Sequence, residues 1–95
     1  MSITTTLSQA HQVLGQIAEG AGHKAEADRE FGSAIAVLES AGLRQRLVSC
    51  LAVYARVLED RGDIDGALAQ MKRAVAVTRP DLQPAAETVS EAETG

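Results

Sequence analysis

Apolar residues return at every third or fourth position along most of this chain, and three glycines and a proline interrupt them at near-regular intervals. Leu7, Ala10, Leu14, Ile17, Ala18 and Ala21 form the first series, and Ala27, Phe31, Ala34, Ile35 and Leu38 the second. Leu43, Leu47, Cys50, Leu51, Tyr54, Ala55 and Leu58 form the third, and Ile64, Ala67, Leu68, Met71, Ala74 and Val75 the fourth. This spacing predicts four amphipathic helices, and no stretch alternates with the two-residue period of a strand. Gly22, Gly42 and Gly62 stand where a helix can close in a left-handed turn, and Pro80 cannot continue the last one. Connections this short fold consecutive helices back on each other as antiparallel hairpins. Gly62-Asp63 predicts a helix end followed at once by a capping residue for the next helix.

Length and composition narrow the picture. The 95 residues suit one domain with a modest core. Its apolar content is mainly Ala, Leu and Val, with Phe31 and Tyr54 as the aromatics, which favours closely packed helices over a ring-filled sandwich. The net charge of −4 is uneven: residues 1–80 hold nine Lys or Arg against nine Asp or Glu, and Asp81, Glu87, Glu91 and Glu93 supply the excess. A neutral body with no basic cluster larger than Arg44/Arg46 or Lys72/Arg73 lacks the footprint of a nucleic-acid binder. Mixed charges on the polar faces also argue against a membrane surface. The lone Cys50, the absence of an apolar leader near Met1 and the absence of a membrane-length apolar run predict a cytoplasmic setting. Beyond Pro80 the apolar stripe fades, so residues 81–95 are expected as an acidic tail or a capping helix, with residues 1–6 as a lead-in.

Sliding the chain by forty residues aligns its halves. Val13 meets Val53, Gly22 meets Gly62, Ala27 meets Ala67, Ala34 meets Ala74 and Val37 meets Val77. Leu14 falls on Tyr54, Gly15 on Ala55, Ile17 on Val57, Phe31 on Met71 and Ile35 on Val75. Small residues stay small and large ones stay large, as closely crossing helices require.

Leu14-Gly15, Gly22, Ala27, Phe31 and Ala34, repeated as Tyr54-Ala55, Gly62, Ala67, Met71 and Ala74, resemble the tetratricopeptide repeat. The resemblance covers residues 7–80, with repeats at 7–41 and 43–80. It implies two stacked hairpins in an α-α superhelix and a role in holding protein or peptide partners. The period of forty exceeds the family's usual spacing of about 34 and looks like the longer-helix variants of bacterial regulators. His11 also stands where the family often has a large aromatic. By resemblance the first helix of each hairpin lines a concave face, which would place Gln12, Gln16, Glu19, Arg56 and Glu59 toward a partner, with Gln9 and Ser49 near the rim. Family members that grip acidic C-terminal peptides use Lys and Asn where Gln12 and Gln16 stand, so that mode is disfavoured.

Two repeats are few for a solenoid, which leaves open ends to be covered by self-association as a homodimer, by residues 81–95, or by flanking repeats. The expected role is thus a protein-interaction or scaffold module of a bacterial regulatory or signalling protein, without enzymatic activity or cofactor. The rival reading is a histidine-phosphotransfer bundle. His11 would be the phospho-acceptor and Gly15, one turn on, would leave room for a docking domain, yet Leu14 stands where that motif usually has Lys. His11, His23 and Cys50 match no zinc signature, no strand precedes a phosphate-cradling glycine loop, and Cys50 reads as a small buried filler.

Overall fold

A computed structural model describes residues 3–78 as four α-helices joined by tight turns. Helix α1 runs Ile3–Gly20, α2 Lys24–Ala41, α3 Arg44–Asp60 and α4 Ile64–Thr78. Residues 3–6, expected as a lead-in, are the first turn of α1, while segment 81–95 lies outside the described residues. α1 packs along α2 and α3 along α4, and the two hairpins meet through α2 and α3 with a smaller contact between α1 and α3. The all-α arrangement of two helical hairpins expected from the spacing is the one observed.

The punctuating glycines act as anticipated. Gly22, Gly42 and Gly62 hold φ of +85°, +69° and +89°, a region where a Cβ is strained. After each, the next amide donates to a carbonyl five residues back: His23 to Ala18 at 2.8 Å, Leu43 to Leu38 at 3.1 Å, and Asp63 to Leu58 at 2.8 Å. These bonds satisfy helix-end carbonyls that would otherwise have no intrahelical partner. Asp63 then caps α4, its Oδ1 accepting the Gly66 N–H at 3.0 Å. A Cβ on Gly66 would lie 2.8 Å from Asp63 Cγ, so glycine there lets the cap close.

The core lies between the hairpins. Phe31, Ala34, Ile35 and Leu38 of α2 pack with Leu47, Cys50 and Leu51 of α3, joined by Ala74 of α4. Ala55, Leu58 and Ala67 continue it toward the Gly62 turn, with Tyr54 touching both groups. The outer helices depart from the expected faces. α1 buries Ser8, Gly15 and Ala18, whereas Leu7, Leu14 and Ile17 stay exposed. Sterics explain the rotation: a Cβ on Gly15 would sit 2.9 Å from two carbons of the Phe31 ring, so the glycine admits the ring and lets the helices close. In α4, Ala67 and Ala74 face inward while Ile64, Leu68, Met71 and Val75 are exposed. Leu14 and Met71, expected as packed repeat positions, therefore belong to bare apolar rows on the two outermost helices.

Candidate interaction groove

Three of the five residues expected to face a partner come together. Gln16 of α1 and Arg56 and Glu59 of α3 line a groove of about 640 Å³ whose other wall is Ile64, Leu68 and Met71 of α4, with Ala55 and Ala67 at its base. Exposure of these α4 side chains follows from the short Ala67 and Ala74 that seat the helix against α3. The groove thus has an apolar wall and a polar one carrying both signs of charge.

The other two lie elsewhere. Gln12 is half-buried in a separate recess of about 160 Å³, shared with Gln9, Arg46 and Ser49. Glu19 is engaged by Arg61, which donates from Nη2 at 2.7 Å and from Nε at 3.0 Å to its Oε1. Arg61 also reaches Asp28 Oδ1 at 3.0 Å and the Lys24 carbonyl at 3.2 Å. Tyr54 donates its hydroxyl to Asp28 at 2.9 Å and stacks on Phe31 with ring centroids 4.9 Å apart. One side of the second hairpin is thereby clamped onto the first through an aromatic pair and a charged fork.

The electrostatics follow from this clamp. Hydrogen bonds from Arg61 hold the Glu19 carboxyl below its ordinary range against the opposing effect of burial, and the same bonds raise the Arg61 guanidinium. Burial, reinforced by the Asp28 bond, pushes the Tyr54 hydroxyl up to about 12. Burial alone pushes the Cys50 thiol up to about 11, the direction opposite to that of an activated nucleophile.

His11 sits on the α1–α2 seam, its Nδ1 2.7 Å from Glu30 Oε1, with about a quarter of each side chain exposed. Gly15, one turn on, is buried against the Phe31 ring. His23, at the turn, lies 3.7 Å from Glu26. Among the described residues no group of three His, Cys, Asp or Glu could hold a metal ion, and no helix is long and apolar enough to cross a membrane.

Reasoning from sequence allowed for exposed apolar stripes at the ends of the stack but missed that one of them walls the groove beside Gln16, Arg56 and Glu59, and it missed the cation that occupies Glu19. A signal for both lies in the forty-residue offset, which sets Leu68 against Asp28 and Arg61 against Ala21. Those are sites where the halves differ in chemistry instead of matching. No family model matches the chain, and no curated protein or solved structure matches it either.

Proposed function

We propose that this chain is a protein-interaction module that receives an amphipathic helical segment in the groove between α1, α3 and α4. The observation that carries the reading is the row Ile64, Leu68 and Met71, left exposed beside Gln16, Arg56 and Glu59. A bare apolar row of this kind, rimmed by polar residues, is what a helix-in-groove partner covers. The tetratricopeptide resemblance supports the same role and adds the bacterial regulatory and cytoplasmic context. The reading involves neither catalysis nor a cofactor, and it gives His11 a packing role on the hairpin seam in place of phosphate transfer.

A display library of helix-length peptides selected against the full chain tests the reading. The expected result is enrichment of peptides with apolar residues at i, i+3 or i+4, and i+7, whose binding is lost with Leu68→Asp while the variant keeps its helical circular dichroism. Failure to enrich any such peptide, or equal binding to the variant, would overturn it.

A further inference from the structure

We infer that the occupant of this groove is a second copy of the same chain, whose α1 stacks there as α3 stacks on the first hairpin. The inference rests on the interaction-module reading and names its partner. The first hairpin has a groove equivalent to the open one, and its occupant is visible: Tyr54 lies on Phe31 and Asp28, and Arg61 on Glu19 and Asp28. The two hairpins share their register, since α1 and α3 end at Gly20 and Asp60 while α2 and α4 begin at Lys24 and Ile64. The forty-residue offset therefore identifies what replaces each partner at the two free ends of the molecule.

On the receiving side, Phe31 becomes Met71 and Asp28 becomes Leu68. On the inserting side, Leu47 becomes Leu7, Cys50 becomes Ala10, Tyr54 becomes Leu14 and Arg61 becomes Ala21. Leu7, Ala10 and Leu14 are exposed on α1 and Ala21 in the turn after it, and Leu68 and Met71 are exposed on α4. Three of the four polar members change: Asp28, Tyr54 and Arg61 have apolar counterparts, while Glu19 keeps its charge as Glu59. Asp28 meets a hydroxyl and a guanidinium inside the molecule, whereas Leu68 would meet Leu14 and Ala21 from the next copy. An aspartate at 68 would be stranded against those two residues, and an arginine at 21 would be stranded against Leu68. Loss of charge on opposite ends of one chain is what mating ends require, and a foreign partner gives no reason for α1 to change in step with α4. Glu59, the counterpart of Glu19, stays exposed, free of the charged fork.

Because the two faces differ, such stacking is head to tail, and each added copy presents a fresh groove. Light-scattering mass of the full chain over a wide concentration range tests this, with circular dichroism confirming that each variant is folded. The expected wild-type result is a mass that climbs with concentration past the dimer. Leu68→Asp and Leu14→Asp, on opposite ends, should each weaken association by about tenfold or more. The decisive arm transplants the internal clamp: Leu14→Tyr, Ala21→Arg and Leu68→Asp combined on one chain, where every interface carries the clamp, should restore association that the Leu68→Asp chain lacks.

Three outcomes would overturn the inference. One is a wild-type monomer at all concentrations, meaning that the groove is closed by residues 79–95 or kept for a foreign partner. Another is a mass that stops at the dimer and responds to Leu68→Asp but not to Leu14→Asp, meaning that two α4 faces meet across a two-fold axis. The last is a folded triple variant that associates no better than Leu68→Asp alone. A monomer that still binds the selected helical peptides would reject self-stacking and leave the interaction reading standing.

Discussion

Gly15 shows how one missing side chain sets the position of a helix. Its counterpart in the second hairpin is Ala55, which lines the open groove together with Met71, the counterpart of Phe31. An unbranched thioether can move aside for a methyl group, whereas a ring held between Gly15 and Tyr54 cannot. Gly15→Ala is accordingly expected to destabilise the fold by a net of about 1–2 kcal/mol, overpacking outweighing the gain in helix propensity. The same change made in a Phe31→Met background should be neutral or stabilising, because it then reproduces the pairing of the second hairpin. Urea denaturation of the four proteins in a double-mutant cycle measures this coupling, and additive effects would show that the ring does not set the approach of α1. Gln70 illustrates the reverse case. Its Oε1 is buried without a hydrogen-bond partner, and the offset explains why: Glu30 has His11 across its hairpin, while the equivalent of His11 opposite Gln70 is Leu51.

Between elements, the hairpin–hairpin joint concentrates in a few side chains. Arg61 stands in the turn after α3, 12% exposed, and holds Glu19 at 21% and the more open Asp28 at 43%. Arg61→Met should cost about 1.5–3 kcal/mol at neutral pH, mostly through the bond to Glu19, since solvent screens the Asp28 arm. The sign of the pH dependence follows from the lowered Glu19 carboxyl. Its folded value lies below the ordinary 4.5, so this stabilisation is complete above that pH and is lost as the solution is acidified through the folded value. Wild-type stability should therefore fall on acidification below about pH 4.5 more steeply than that of Arg61→Met. Chemical denaturation across the acid range checks this, and parallel curves would remove Glu19 from the account.

The same joint explains what the sequence made legible. Helix number, the Schellman-type ends at Gly22, Gly42 and Gly62, and the Asp63 cap depend on residues within a turn of each other, so spacing reveals them. The inward face of α1 does not, because Ser8–Gly15–Ala18 and Leu7–Leu14–Ile17 are adjacent stripes and the choice depends on the shape of Phe31 across the seam. The expectation that Gln16, Arg56 and Glu59 share one surface comes from the tetratricopeptide resemblance and not from spacing. That Glu19 is taken could not be read from either, since Arg61 is forty-two residues away in sequence and its counterpart in the other half is an alanine.

At the scale of the whole molecule, stability should be graded from the centre outward. The largest fully buried side chains, Phe31, Leu51 and Cys50, all sit on α2 and α3. α1 buries only Ser8, Gly15 and Ala18, and α4 only Ala67 and Ala74. A repeat array in which each unit leans on its neighbour loses its ends first, because an end helix has a neighbour on one side only. Native-state hydrogen exchange should show the slowest amides in α2 and α3, with α1 and α4 opening at lower free energy than the global transition. Uniform protection through all four helices would instead mean a single cooperative unit in which the bare apolar rows carry no penalty for opening. Covering those rows must also change the gradient in a definite way: any partner seated in the α3–α4 groove slows exchange in α4, but only a second copy seated through its own α1 slows α1 as well. Exchange recorded at rising protein concentration therefore separates the two. Protection gained together at both ends of the chain is the signature of mating faces, and protection gained in α4 alone is that of a foreign helix.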